Sequence, residues 1–352
     1  MSVERLISDV GVEPPRPEPT TTLISESASP LTSLPTTADD RARIESAMRT
    51  AVVTSDDYLT EIASHLIVAG GKRLRPLLSV VAAQTAGGEA SDDVVQGGVA
   101  CELVHLGSLY HDDVMDEADT RRGVETVNAR WGNLQAILAG DFLLSRASEI
   151  ASSLGTEVAG LLARTIGWLC EGQIEELRHT YDVDRTETSY EASIHGKTAS
   201  LYGTAARVGG LVAGFDRSAV DALTDYGVAF GMVFQIVDDI LDVTATDEVL
   251  GKPAGHDMEE GVYTLPVLRT MAASGAGDEL RELLGRPLDA DQRRRALAIV
   301  RNGDGVDAAI AHAQMFVDRA VSACAALDDS AATDAMRAAP AALLATVDPS
   351  AR

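Results

Sequence analysis

Twice along this chain the same acidic pattern breaks into an apolar, helix-patterned segment. Asp112, Asp113 and Asp116 stand in Leu109-Tyr110-His111-Asp112-Asp113-Val114-Met115-Asp116, and Asp238, Asp239 and Asp242 stand in Phe234-Gln235-Ile236-Val237-Asp238-Asp239-Ile240-Leu241-Asp242. A spacing of four places the first and last acid of each set on one helical face, one turn apart. Like charges at that spacing destabilise a bare helix, and uncompensated carboxylates among apolar neighbours are costly to bury. Two such helices therefore fold well only where a cation sits against each. Carboxylate oxygens in this number suit magnesium, which keeps water ligands and bridges to phosphate groups.

Everything around the two motifs reads as helix. Apolar residues recur at three and four spacing, as in Ile44, Met48 and Val52 and then Tyr58, Ile62 and Leu66. Ala-rich segments favour helix by intrinsic propensity, and alternating strand patterns are scarce. With 352 residues, 45% of them hydrophobic, the chain can bury a large core. Six of the 12 prolines fall within the first forty residues, so residues 1–40 are expected to be a disordered arm and residues 41–350 one all-helical catalytic domain. The expected fold class is all-α, a single large helical bundle around a central cavity. Cys101, Cys170 and Cys324 are far apart and form neither a disulfide framework nor a metal-ligand pattern. No apolar run approaches the roughly 20 residues that cross a bilayer, and no secretory leader pattern is present, so a cytoplasmic protein is expected.

The net charge of −25 repels nucleic acid, so any polyanion must be held by a local basic cluster or by metal ions. Lysine occurs only at Lys72, Lys197 and Lys252, and each lies in a motif. Gly70-Gly71-Lys72-Arg73-Leu74-Arg75-Pro76 sets three cations beside a glycine pair that can approach a ligand closely. Arg121 and Arg122 follow the first acidic set, near enough to hold phosphate oxygens that metals leave free. Neither Lys72 nor Lys197 lies in a nucleotide-binding loop: Lys72 is followed by Arg73, and Glu191 stands where Gly196-Lys197-Thr198 would need its first glycine.

In this order the motifs resemble those of the trans-type polyprenyl diphosphate synthases, in particular the long-chain members. The resemblance spans Gly70 to Pro266 through Gly-Gly-Lys-Arg-Leu-Arg-Pro, the His105 to Asp116 segment, Asp-Thr-Arg-Arg-Gly, Gly-Asp-Phe-Leu-Leu, Gly-Lys-Thr, Gln-Ile-Val-Asp-Asp-Ile-Leu-Asp and Gly-Lys-Pro. It implies the isoprenoid synthase fold and a magnesium-dependent head-to-tail condensation of isopentenyl diphosphate with an allylic diphosphate, using several ions per site. On the matching positions, Lys72, Arg75, His105 and Arg122 are implied to hold isopentenyl diphosphate. Arg121, Lys197, Thr198, Gln235 and Lys252 are implied to hold the allylic diphosphate. Asp112, Asp116 and Asp238 are the implied direct magnesium ligands, with Asp113, Asp239 and Asp242 completing the two acidic sets; Asp112, Asp116, Asp238, Lys197 and Arg121 form the catalytic group. The resemblance further implies a homodimer, no nucleic acid partner, and peripheral membrane contact for product release.

Charge dictates the expected mechanism. Cleavage of the allylic carbon–oxygen bond leaves a carbocation and a diphosphate, whose charge magnesium, Arg and Lys stabilise. The double bond of isopentenyl diphosphate attacks, and the released diphosphate takes the proton. The growing chain is expected to run along the helix before Asp112, where Ser108, Gly107, Val104 and Cys101 leave about 16 Å without an aromatic plug. A long-chain product follows, and Phe at Gly107 or Ser108 is expected to shorten it; a geranylgeranyl or farnesyl diphosphate synthase is the alternative. In one departure from the family pattern, Glu260-Gly261 is followed by Val262, where a lysine is usual. Of the other classes, a terpene cyclase needs no clamp for a second diphosphate, and a non-catalytic subunit of a heteromeric synthase tends to have lost its acidic motifs.

Overall fold

Helix starts in this chain are marked by side-chain caps. Asp56 accepts from the amides of Tyr58 and Leu59, Ser91 from Val94, Thr186 from Ser189 and Asp216 from Ala219. Each cap satisfies donors that the first helical turn leaves unpaired. The computed structural model describes residues 29–246, 253–273 and 275–347. In chain order they form α1 (Thr37–Ala51), α2 (Asp57–Val68), α3 (Leu74–Ala83), α4 (Asp92–Met115), a two-stranded hairpin of β1 (Thr120–Arg121) and β2 (Val124–Glu125), α5 (Val127–Trp131), α6 (Asn133–Ser153) and α7 (Thr156–Arg178). Then come α8 (Glu187–Ile194), a single π-turn (His195–Ala199), α9 (Ser200–Val212), α10 (Arg217–Thr244), α11 (His256–Glu259), α12 (Leu265–Met271), α13 (Ala276–Leu283), α14 (Ala290–Asn302), α15 (Gly305–Ala323) and α16 (Ala331–Leu344). The fold is all-α.

Two helices organise the rest. The 24 residues of α4 are buried on nearly every side from Val94 to Tyr110, as expected of a helix that is apolar all round. It packs against α6, α9, α3 and α1. The 28-residue α10 is buried along its length and packs against α9 and α15. Each carries one acidic set at its C-terminal end. Between them, α3 and α9 each present two apolar faces. Leu77, Leu78 and Val81 of α3, with Tyr202 and Ala206 of α9, join the core around α10. Val80 and Ala83, with Leu201, Ala205 and Val208, join the core around α4. The two cores thus share walls, which fixes the acidic helices relative to each other.

The expected boundary of the N-terminal arm is corrected. Residues 1–28 lie outside the described residues, but Pro30–Thr32 form a 3-10 turn and α1 begins at Thr37. Leu31 is fully buried in the α10 core, where its turn packs against α16. The proline-rich composition hid this anchor because a single leucine does not register as a hydrophobic period. Among the described residues no helix is long and apolar enough to cross a membrane. All three cysteines are free, Cys101 and Cys324 buried and Cys170 exposed.

Leu31→Ala removes a fully enclosed side chain, so chemical denaturation should show a loss of about 2–4 kcal/mol. A loss below about 0.5 kcal/mol, the level of an ordinary surface change, would show that the segment before Thr37 is not part of the core.

Candidate active site

At the start of α3 the backbone bends sharply through positive φ angles at Gly70, Gly71 and Arg73 (93°, 146° and 50°). A non-glycine residue in that region is held against its own preference, at about 1 kcal/mol or more, and the environment of Arg73 shows what holds it. Its guanidinium is 2% exposed, bonded to Glu45 at 2.7 Å, to Glu102 at 3.4 Å and to the Ile67 carbonyl at 2.9 Å. Arg73 is therefore an internal strut, and Lys72 and Arg75 on either side of it are half-buried. Arg75 lies over the Tyr202 ring at 4.6 Å, and its Nε is buried without a hydrogen-bond partner.

The hairpin brings the second pair of arginines to the same place. Its turn, Arg122-Gly123, has positive φ at both residues (52° and 75°), as tight two-residue hairpins require. That turn sends Arg122 back to the carbonyls of Gly70 and Leu66. Burial lowers the Arg122 pKa and Glu102 opposes the shift, while Arg73, Arg121 and Arg75 lower it further. His105 of α4 lies among the same groups: burial holds it well below the usual imidazole range, and Arg75, Arg122, Arg121 and Arg73 push it the same way. Four arginines around one neutral histidine, with the buried Glu102 as partial counterion, form a preassembled anion site. Glu102 was not singled out from the sequence. Its one signal is an acid inside the apolar run Ala100-Cys101-Glu102-Leu103-Val104.

The six acids of the two motifs divide in the structure. Asp113 is fully buried and accepts from Arg121 Nε at 2.6 Å. Asp239, 3% exposed, accepts from Tyr190 Oη at 2.5 Å and from Gln235 Nε2 at 2.9 Å. Burial drives its pKa well above the carboxylate range. These two acids are engaged within the protein, and neither is among the three implied direct ligands. Asp242 is also buried, whereas Asp112 is half-buried and Asp116 and Asp238 are exposed. Burial, opposed by Lys197 and reinforced by Asp116, pushes Asp112 up to about 6. A carboxyl raised in the folded state lowers stability as pH climbs from about 4 to about 6, and the penalty is complete above that window. At neutral pH the Asp112–Asp116 face is therefore strained in charge, and a cation there offsets the strain.

Among the described residues no three acidic, His or Cys groups converge on a single ion. Two carboxylates one turn apart, with remaining positions left to water and phosphate, match how magnesium is held and do not match an all-protein cage. Between the two acidic helices stands the π-turn. Lys197 acts on both Asp112 and Asp116, and its Nζ donates to Glu176 Oε1 of α7 at 2.5 Å. The next residue, Thr198, donates to Gln235 Oε1 at 2.7 Å, so Gln235 is held between Thr198 and Asp239. Tyr190 and Glu176 are further site neighbours that no sequence motif announced. Lys252 lies outside the described residues. Val262 is half-buried, and its amide donates to the Asp257 carbonyl at 2.8 Å.

The face of α4 leading back from Asp112 is only partly as expected. Ser108 is half-buried, its hydroxyl bonded to the His105 carbonyl, and Val104 and Cys101 are fully buried. Gly107 points elsewhere: a Cβ there would lie 3.0 Å from the Gly140 carbonyl and 3.2 Å from Leu144 of α6. At 3.6 residues per turn Gly107 sits about 140° around the helix from Asp112, and Ser108 only about 40°. Tyr110 turns away as well, its hydroxyl donating to the Ile62 carbonyl at 2.9 Å. His111 contacts the Ile137 carbonyl and Asp141 of α6.

Comparison with known proteins follows the same lines. The sequence profile described as polyprenyl synthetase matches residues 56–300. Nonaprenyl diphosphate synthase of Mycobacterium tuberculosis is 42% identical over 268 residues, 75% of this chain and 80% of that protein. Heptaprenyl diphosphate synthase component 2 of Geobacillus stearothermophilus is 37% identical over 285 residues, 81% of this chain and 88% of that one. The crystal structure of a polyprenyl synthase from Caulobacter crescentus, complexed with calcium and isoprenyl diphosphate, superposes with a TM-score of 0.83 at 33% identity, covering 95% of this chain and 99% of that one.

The two neighbouring arginines separate structure from ligand binding. Arg73→Ala leaves Glu102 buried without its cation and should destabilise by about 3–5 kcal/mol in thermal or chemical denaturation. Arg75→Ala should leave stability nearly intact and weaken inorganic pyrophosphate binding, read by calorimetry, about tenfold. Equal effects of the two on stability would refute the division.

Proposed function

Since the chain belongs to the polyprenyl synthetase family, we propose that it is a magnesium-dependent long-chain polyprenyl diphosphate synthase joining isopentenyl diphosphate to an allylic diphosphate. It is a prenyltransferase. The observation that carries the substrate reading is the pairing of two charge clusters. The cluster of Arg75, Arg122 and Arg121 around the neutral His105, with Lys72 close by in sequence, lies to one side of α4, and the acids Asp112 and Asp116, with Lys197 nearby, lie at its C-terminal end. The first cluster is suited to a diphosphate held without metal, the second to a diphosphate held through metal.

In this reading Asp112, Asp116 and Asp238 hold magnesium; a divalent metal is supported by the calcium in the Caulobacter relative's complex. When bound, the ions supply Lewis-acid neutralisation of the departing diphosphate. The remaining work falls to the chain's own side chains. Arg121, with its Nε edge fixed on Asp113, offers its terminal nitrogens to phosphate oxygens. Lys197 adds a point charge, and Thr198 and Gln235, already bonded to each other, line the same end. The neutral His105 can donate to the isopentenyl diphosphate without adding charge to a site crowded with arginines. Apolar Val104 and Cys101 flank the direction in which a hydrocarbon chain would extend and keep water from the cation formed on cleavage.

A second copy of the chain is the proposed partner. On α6, Leu134, Ile137 and Leu138 form one apolar face at three and four spacing, exposed by 74%, 41% and 66%, and Trp168, Ile174 and Leu177 of α7 are also exposed. The relative named component 2 favours a second reading, in which activity needs a different polypeptide. One experiment separates them: the purified chain, sized by chromatography, is incubated with magnesium, labelled isopentenyl diphosphate and each allylic starter. Product from a dimer supports the first reading; turnover only with an added polypeptide supports the second.

Two sets of substitutions test the chemistry. Asp112→Ala and Asp238→Ala should each lower turnover about a hundredfold or more while the fold persists; unchanged turnover would sink the metal assignment. For product length, Ser108→Phe should give shorter products by chromatography. Gly107→Phe should instead lower stability by driving α4 from α6, at a cost of roughly 1–3 kcal/mol or more. A shortened product from a fully stable Gly107→Phe protein would reverse that assignment.

A further inference from the structure

Lysine carries its charge on a flexible four-carbon stem, so a site that depends on one lysine must hold it. Two features of α7, one turn apart on the same face, do so for Lys197. The first is a crossing of backbones. A Cβ on Gly172 would lie 2.6 Å from the Lys197 amide nitrogen, 2.7 Å from the Ser193 carbonyl and 2.9 Å from Gly196 Cα. A Cβ on Gly196 would meet the Trp168 carbonyl at 2.6 Å and Gly172 Cα at 2.8 Å. The two backbone segments touch without side chains between them, where the helix widens into a π-turn. The second is Glu176, whose Oε1 accepts from Lys197 Nζ at 2.5 Å, with the two side chains 15% and 30% exposed.

The neighbours explain why this matters. Asp112 and Asp116 both feel the Lys197 charge, yet the ammonium is bonded to Glu176 and to neither of them. Without Glu176, the nearest compensation for a mobile ammonium is the Asp112–Asp116 face, where it would neutralise the carboxylates a metal needs. Arg185 stands behind Glu176. It is buried, donating to the Tyr263 carbonyl at 3.1 Å and to Ser193 Oγ at 2.8 Å, and Glu176 stabilises its charge. Ser193 is itself part of the Gly172 crossing. The glutamate therefore faces the charge of an arginine that is itself bonded into the Gly172 crossing.

We propose that Gly172 and Glu176 are positioning residues for the allylic diphosphate: the glycine sets the backbone of the π-turn against α7, and the glutamate parks the Lys197 ammonium beside the acidic face, ready to transfer to phosphate oxygen. The proposal rests on the prenyltransferase reading above. Neither residue touches the reacting atoms.

The test uses the full chain with magnesium, comparing wild type, Glu176→Gln, Glu176→Asp and Gly172→Ala. Wild-type turnover judges the reading itself. The positioning role is judged by the split between substrates and by direct calorimetric binding of farnesyl diphosphate, which needs no turnover. Glu176→Gln should raise the allylic KM and weaken farnesyl diphosphate binding about tenfold, lower kcat, leave the isopentenyl diphosphate KM within about twofold, and leave the unfolding midpoint in place. Glu176→Asp should recover part of the loss, and Gly172→Ala should show the same split between substrates. Tighter allylic binding in Glu176→Gln would mean that the glutamate competes with substrate, and the proposal would be wrong. Equal changes for both substrates with a lowered unfolding midpoint would reduce both residues to packing and overturn it as well.

Discussion

The constraint on which the rest depends is the cost of placing carboxylates at the ends of helices that are otherwise core. α4 and α10 are long helices buried along most of their length, and each ends in an acidic set. A chain under selection for stability alone would not repeat that arrangement. The structure meets the cost in two ways. Asp113 and Asp239 are absorbed by Arg121, Tyr190 and Gln235 and become internal fasteners. Asp112 remains raised to about 6, compensated in part by Lys197. The fastened acids hold the helical ends still, and Asp112 and Asp116 keep a charge that the proposed cation would offset. Each motif thus buries its second acid and leaves its first more accessible, on the side where the proposed metal would bind.

The cation cluster mirrors this logic with the signs reversed. Arg73, Arg75, Arg121 and Arg122 act on one another across His105, and mutual repulsion would scatter them if the backbone did not hold them. Arg73 and Arg122 both sit at positive φ, and Glu102 and Glu45 supply counter-charge from behind. Strain and repulsion are both stored where an anion relieves them, which is the usual reason for such residues at ligand sites. The two clusters therefore have complementary needs: one lacks cations and the other lacks anions. Under the proposed function a metal-bound diphosphate would answer the first need and a metal-free diphosphate the second.

Much of this was legible in the sequence because it is local. The acids at four spacing, the Gly-Gly-Lys-Arg-Leu-Arg segment and the Arg-Arg-Gly turn each lie within a few residues, so period and chemistry reveal them. The all-α class was legible for the same reason. What escaped detection is non-local. Tyr190 reaches Asp239 across 49 residues, Glu176 reaches Lys197 across 21, and Gln84 reaches Asp40 across 44 to fasten α1, a helix whose first residues had been assigned to the arm. Leu31 reads as part of a proline-rich tail until its burial against α16 is seen. Arg73 looks like its neighbours Lys72 and Arg75 in the sequence because charge is visible there and burial is not.

Gly107 and Ser108 show how fine that limit is. The two adjacent small residues look interchangeable as a floor for a growing chain, yet a helix turns by about 100° per residue, so adjacent residues cannot share a face. Gly107 lies where α4 meets the carbonyl of Gly140, and its smallness serves the close approach of α6. Ser108 lies nearer the Asp112 side, half-buried, with Val104 one turn further on. Smallness in the first case is a packing requirement and in the second an opening. Since α6 also carries the exposed Leu134, Ile137 and Leu138 face, a shift of α6 at Gly107 would move the proposed dimer surface as well. Under the proposed function the walls of the chain-length channel and the seam between subunits would be coupled through this one helix, and a substitution at Gly107 would report on that coupling before it reports on product length.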